Sequence, residues 1–268
     1  MPQSAESIWA NVTQIRNQAP LIHNITNFVV MNNTANALLA LGASPAMVHA
    51  PEEVEEFASI SSALVVNIGT LDATFVSGMK LAMPQAKALG KPVIFDPVGV
   101  GATTYRNQIS EELLTLATPD IIRGNASEIM ALAGLNSQTK GVDSQHSSYA
   151  AIAAARRLSL MWNCTVVISG ASDYIVRGNQ QATVKNGHPL MTKVTGMGCT
   201  ATALIGAFAA VNSDYFQAAT YAMAVMGIAG ELAVQKKPAP GSLQLNFLDA
   251  LYQLTETDID ARLNLTYA

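Results

Sequence analysis

The chain has 268 residues, half of them apolar and only 13% charged, with a net charge of −4. This length and apolar share fit one α/β domain spanning residues 1–268 and exclude a disordered chain. No Lys/Arg cluster exceeds two residues (Arg156-Arg157, Lys236-Lys237), so a basic face for nucleic acid is excluded as well.

The two cysteines, Cys164 and Cys199, need no disulfide in a chain this long. The start, Met1 to Glu6, shows neither a basic n-region nor an apolar h-region, and a cytoplasmic protein is expected. Val194 to Ser213 carries no formal charge, close to the ~20 residues that span a bilayer. Its first third is a Gly/Thr turn and the rest mostly Ala. It reads as a helix buried on all sides, and no membrane partner is expected.

Taken in chain order, His23-Asn24-Ile25-Thr26-Asn27 is a polar stretch before a helix over Val29 to Leu41, closed by Gly42. Pro45 to His49 is apolar and strand-like. Ala63 to Ile68 reads as a buried strand, Leu71 to Leu89 as a helix, and Pro92 to Phe95 as a second strand. A short third strand, Asp120-Ile121-Ile122, stops at Arg123-Gly124-Asn125, and a helix follows over Ser127 to Ala133. Ser148 to Leu160 is helical and Thr165 to Ile168 a fourth strand. Tyr174 to Arg177 and Ala182 to Val184 form a hairpin about Gly178-Asn179. Three helices are then expected to finish the chain, over Cys199–Val211, Phe216–Val234 and Leu243–Leu254. Continuous apolar strands alternating with helices predict a mostly parallel sheet covered on both faces.

Ligands in such sheets bind beyond the carboxyl ends of the strands. Polar residues and glycines collect there: Asn67-Ile68-Gly69-Thr70, Asp96-Pro97-Val98-Gly99, Arg123-Gly124-Asn125 and Ser169-Gly170. Asp96 offers a carboxylate for Mg²⁺ or a water, and Arg123 a fork for phosphate. In Asn125-Ala126-Ser127-Glu128, Asn125 is placed to cap a helix and Glu128 to close a capping box or orient metal-bound water. Ser169 adds a hydroxyl. Met47 reads, on sequence grounds alone, as core.

The most informative segment is Thr195-Gly196-Met197-Gly198-Cys199-Thr200, a small-residue turn opening into an apolar helix. A helix start presents free N–H groups to an anion, and glycines admit the anion closely. Cys199 falls in the first turn, where the helix start is expected to favour its thiolate while nearby phosphates oppose it. This combination suits phosphoryl transfer to an alcohol. There is no Walker A motif, no metal-ligand Cys/His spacing, and no G-x-G-x-x-G after a strand.

Asn125–Glu128 and Gly196–Cys199 resemble the N-x-x-E and anion-hole motifs of ribokinase-like kinases, most of which carry Asp at the last position of the second motif. Cysteine there, with His23–Asn27, Asp96–Ala102 and Arg123–Glu128, is similar to the hydroxyethylthiazole kinase family, over about Ile22 to Gly230. The resemblance implies ATP-dependent phosphorylation of 4-methyl-5-(2-hydroxyethyl)thiazole with Mg²⁺, in thiamine salvage, by a homotrimer with its sites at subunit boundaries. It implies that Cys199 accepts or orients the hydroxyl proton. Met47, Gly196 and Asn27 would lie at the alcohol, Arg123, Ser169 and Asn125 at ATP, and Asp96 and Glu128 at the metal. Other ribokinase-like alcohol kinases, a nucleotide-dependent NAD(P)H-hydrate dehydratase on the same fold, and a non-catalytic binding protein are the competing readings.

Overall fold

A computed structural model describes residues 5–135, 144–235 and 239–268, leaving aside the side chains of 144–148. Residues 1–4, where the leader reading falls, and the pair Lys236-Lys237 lie outside these. The chain runs α1 (Ala5–Gln18), β1 (Leu21–Ile25), α2 (Met31–Leu41), β2 (Ser44–Ala46), α3 (Val54–Ile60), β3 (Ala63–Asn67), α4 (Ala73–Ala88), β4 (Val93–Asp96) and α5 (Thr104–Leu116). It continues with β5 (Ile121–Asn125), α6 (Ala126–Leu132), α7 (Ser144–Trp162), β6 (Thr165–Ser169), β7 (Asp173–Arg177) and β8 (Gln180–Val184). After a 3₁₀ turn (Pro189–Lys193) come α8 (Met197–Val211), α9 (Tyr215–Ala233), α10 (Pro240–Gln253), α11 (Glu256–Arg262) and β9 (Leu265–Tyr267).

Among the described residues all nine strands form one sheet, in the order β2-β1-β3-β4-β5-β6-β7-β8-β9. Neighbours from β2 to β6 are parallel, and the remaining pairs are antiparallel. The strands alternate between two cores. Val65, Ile94, Ile121 and Val167 face a core shared with α1, α2 and α8 to α11. Leu64, Val66, Phe95, Ile122 and Val166 face the one built with α3 to α7. Burial on both faces is why these strands read as unbroken apolar runs.

Several expectations are corrected. A fourth helix, α11, and strand β9 follow the three helices expected at the end. The strand expected to stop before Arg123 continues to Asn125, because β5 pairs with β6 as far as Asn125–Ser169. The strand-like stretch 45–49 pairs only up to Ala46, so Met47 sits in the loop beyond β2.

Two features position the site. The order β2-β1-β3 makes a switch point between β1 and β3. The helix after β1 packs on one face and the helix after β3 on the other, which opens a crevice at the strand ends. Helix α8 lies close against the sheet, buried at every residue from Thr200 to Ala209. Gly206 permits this approach, since a Cβ there would stand 2.7 Å from Val65 Cγ2. Full burial of Leu204, Ile205 and Phe208 stabilises this seating by ~1.5–3 kcal/mol each.

Candidate active site

Across the carboxyl ends of β1, β3, β4, β5 and β6 runs a continuous polar chain. Asn27 follows β1, and its Nδ2 donates to Asn67 Oδ1 (2.8 Å) and to Cys199 Sγ (3.4 Å). Asn67 ends β3, and its Nδ2 donates to Asp96 Oδ2 (2.9 Å). The Thr202 hydroxyl, one turn into α8, donates to the same oxygen (2.7 Å). Arg123 of β5 brings Nη1 to 3.7 Å from Asp96 Oδ2, and its Nη2 donates to the Ser169 hydroxyl of β6.

The carboxylate fixes the polarity of this chain. Asp96 accepts only, so Asn67 must turn its NH₂ toward it and its oxygen toward Asn27. The backbone N–H of Gly69 donates to that same oxygen (2.9 Å), which supports the assignment. Asn27 must then present its NH₂, and this is the group on the Cys199 sulfur. The ionic state of Asp96 therefore reaches Cys199 through two amides.

Asp96 is fully buried, and burial pushes its carboxyl up to about 6. Glu128 adds to the rise, whereas Arg123, Thr202 and Asn67 oppose it. Its Oδ1 has no hydrogen-bond partner among the described residues. A buried carboxylate oxygen left unpaired at a strand end is suited to an oxygen-seeking cation, so the residues present fit Mg²⁺. Glu128 is differently placed. Its Oε2 accepts from Asn125 N–H and its Oε1 from Gly99 N–H, each at 2.8 Å. Asn125 Oδ1 accepts from Glu128 N–H, completing the capping box of α6. Both Glu128 oxygens are engaged by backbone N–H groups, and their remaining lone pairs suit a metal-bound water.

Gly196 has φ +82° and starts α8, and no side chain caps the helix. The first intrahelical bond is Thr200 N–H to Gly196 O (2.8 Å), which leaves the N–H groups of Met197, Gly198 and Cys199 ahead of it. A Cβ on Gly198 would stand 2.7 Å from Arg123 Nη1, so the guanidinium lies directly beneath the turn. Backbone donors and an arginine thus converge, a built place for phosphate.

Cys199 does not behave as the helix start alone suggested. Burial raises its thiol above the usual value, and the Asp96 charge raises it further, outweighing the lowering by Asn67, Asn27 and Arg123. The resting group is a thiol. Cys164 is wholly buried, and burial pushes its thiol up to about 12.

Beside Arg123 and Ser169 opens a cavity of about 590 Å³, walled by Asn186–Pro189, Met191, Met223 and Met226 and reaching Gly196–Gly198. Asp173 borders it. Burial pushes this carboxyl up to about 6, against the Gly170 N–H that donates to it (3.0 Å). Met47 joins no part of the strand-end chain. It is half-buried, next to Val48, whose carbonyl accepts from His23 Nε2 (2.8 Å).

A profile of the Hydroxyethylthiazole kinase family matches residues 12–257. The chain belongs to the hydroxyethylthiazole kinase family. A hydroxyethylthiazole kinase of Syntrophus aciditrophicus (strain SB) is 58% identical over 99% of this chain and 98% of its own length. The solved structure of a hydroxyethylthiazole kinase protein from Pyrococcus horikoshii OT3 has a TM-score of 0.90 and 41% identity, covering 98% of this chain and 99% of its own. A Staphylococcus aureus pyridoxal kinase in complex with AMP-PCP has a TM-score of 0.65 at 15% identity, covering 93% of this chain and 99% of its own, and shows the shared ribokinase-like fold alone.

Sequence reasoning missed several residues of this candidate site. Asn67 was marked only as a strand end. Thr202 carried a readable signal, lying three residues after Cys199 on the same helix face. Arg106 carried none: it donates to Val98 O (2.7 Å) and Gly69 O (2.8 Å), tying together the loops after β3 and β4. The far wall, Asn186 to Pro189, is distant in sequence from every strand-end motif.

Proposed function

We propose that this chain, as one catalytic domain, transfers the γ-phosphoryl group of ATP to the hydroxyl of 4-methyl-5-(2-hydroxyethyl)thiazole. The observation that carries the reading is the polar chain from Cys199 to Arg123, lying under the uncapped start of α8. A site for an alcohol at the β1/β3 crevice and a site for phosphate at Arg123 meet across one short turn.

The triphosphate lies between the 590 Å³ cavity and the Gly196–Cys199 turn. The N–H groups of Met197, Gly198 and Cys199, with Arg123, stabilise charge on the transferring group. Ser169 holds the guanidinium in place. Bound Mg²⁺ would neutralise phosphate charge, with Asp96 its direct carboxylate and Glu128 acting through water. At the other end of the chain, Asn27 and Cys199 orient the alcohol, whose hydroxyl donates to the thiol sulfur, and the hydroxyl proton leaves late, onto an oxygen of the transferred phosphoryl group. A loose transition state asks for little early proton removal, so an un-ionised thiol that only orients the hydroxyl suffices.

Met47 and Gly196 complete the alcohol side in this reading, and Asn125 the nucleotide side through the α6 cap. We further propose a homotrimer with shared sites. Phe28 and Val29, next to Asn27, are 63% and 57% exposed in the single chain, which supports a covering subunit there. ADP release with the thiazole alcohol present and absent, with and without Mg²⁺, and with pyridoxal in its place tests the assignment. Release only with the thiazole alcohol and Mg²⁺ is expected; release with pyridoxal alone would overturn it.

A further inference from the structure

The wall of the cavity formed by Asn186 to Pro189 is held from behind by groups of α9 and the C-terminal segment that do not line the cavity themselves. Asn186 is buried, and its Nδ2 donates to Glu231 Oε1 of α9 (3.0 Å) and to the Arg262 carbonyl at the end of α11 (2.7 Å). Its Oδ1 accepts from Asn264 N–H (2.8 Å). Gly187 N–H donates to the same Glu231 oxygen (2.9 Å), and Lys185 N–H to the Asn264 carbonyl (2.9 Å). Every polar atom of the Asn186 side chain is therefore engaged, and the partners come from α9 and the C-terminal segment.

Helix α9 is shaped to receive this loop. A Cβ on Gly227 would stand 2.6 Å from the Asn186 carbonyl, and one on Gly230 would collide with Met191 Sδ. Two glycines one turn apart let the loop lie flush on the helix, with Glu231 next in line to hold it. Met223, Met226 and Gly227 of the same helix face the cavity.

We propose that Glu231 and Asn186, with Arg262–Asn264, form a clamp that positions the 186–189 wall and so sets the affinity for the base end of the nucleoside triphosphate. The inference rests on the reading of the 590 Å³ cavity as the nucleotide's base pocket. Thioether and backbone groups on its wall suit a flat heterocycle, whose ring packs on Met223 and Met226 and whose edge meets backbone N–H and C=O groups. Glu231 and Asn186 are positioning residues, and the C-terminal segment supports ATP binding without lining the cavity.

The test is steady-state kinetics on the full chain with three variants. Glu231→Ala removes the acceptor of two hydrogen bonds and should raise KM for ATP about tenfold, with kcat and KM for the alcohol within about twofold of the parent. Glu231→Gln keeps an acceptor oxygen and should restore KM for ATP to within about threefold. Met226→Trp fills the cavity and should abolish binding of a non-hydrolysable ATP analogue measured by calorimetry. If Met226→Trp abolishes binding while Glu231→Ala leaves KM for ATP unchanged, or moves kcat and both KM values together, the clamp is refuted and the pocket stands. If Met226→Trp still binds the analogue as the parent does, the base-pocket reading falls and the clamp proposal with it.

Discussion

Replacing Asp96 with Asn should stabilise the metal-free protein at neutral pH while abolishing its activity. The Asp96 carboxyl moves from 3.8 to about 6 on folding, chiefly because it is wholly buried. Two pKa units at about 1.4 kcal/mol each amount to ~3 kcal/mol. The sign follows from linkage. A carboxyl raised on folding holds its proton more tightly in the native state. Its contribution to stability is complete below about pH 4 and is lost as pH rises through about 6. Asn at this position never ionises. It can keep accepting from Asn67 and Thr202 through its oxygen, with its NH₂ in place of the unpaired Oδ1. The stability of Asp96→Asn minus that of the parent should therefore grow by ~3 kcal/mol between pH 4 and pH 7 in urea titrations without metal or nucleotide. Mg²⁺ at pH 7.5 should raise the unfolding midpoint of the parent and leave the variant unmoved. A stability difference that stays flat with pH would refute the claim that this buried carboxylate is held at a cost for function.

Three further outcomes follow from the same geometry. Cys199→Ala should lower kcat by about ten- to a hundredfold with little change in KM for ATP, and Cys199→Asp should remain active; an unchanged kcat in Cys199→Ala would remove the thiol from proton handling. Iodoacetamide at pH 8 should label Cys199 more slowly than a free thiol and Cys164 more slowly still, read by peptide mass spectrometry, because burial raises both thiols. Gly198→Ala should raise KM for ATP about tenfold, since its Cβ would stand 2.7 Å from Arg123 Nη1 and displace the guanidinium; KM equal to the parent would show that Arg123 does not meet the nucleotide.

The parallel core was legible because each buried strand is an unbroken apolar run closed by a polar residue or glycine, as in Ala63–Asn67 and Val93–Asp96. Strand β1 was hidden by His23 and Asn24, polar residues buried in mid-strand, where His23 Nε2 meets the Val48 carbonyl and Asn24 Nδ2 donates to the Ile22 carbonyl. Helices α1 and α5 bury only four residues each, so their apolar stripes are narrow. Strand β9 is three residues long and exists through pairing with β8, information no local window contains.

At the site, Asp96, Arg123, Glu128 and Cys199 were legible because strand ends and a glycine turn mark them. The network joining them was not. Asn67 and Asn27 matter through which amide end faces which neighbour, and Thr202 through the seating of α8 against the sheet. The direction of the Cys199 shift was left open for the same reason. The helix start argues for a thiolate, but burial and the Asp96 charge, both set by tertiary packing, win.

In the proposed mechanism ATP and the thiazole alcohol react across the Gly196–Cys199 turn. Incubation with γ-³²P-labelled ATP, Mg²⁺ and 4-methyl-5-(2-hydroxyethyl)thiazole, followed by separation of the products, tests it most directly. Label recovered in the thiazole phosphate ester, one for each ADP formed, is the result predicted. Label recovered in inorganic phosphate, with none in the ester, would contradict it.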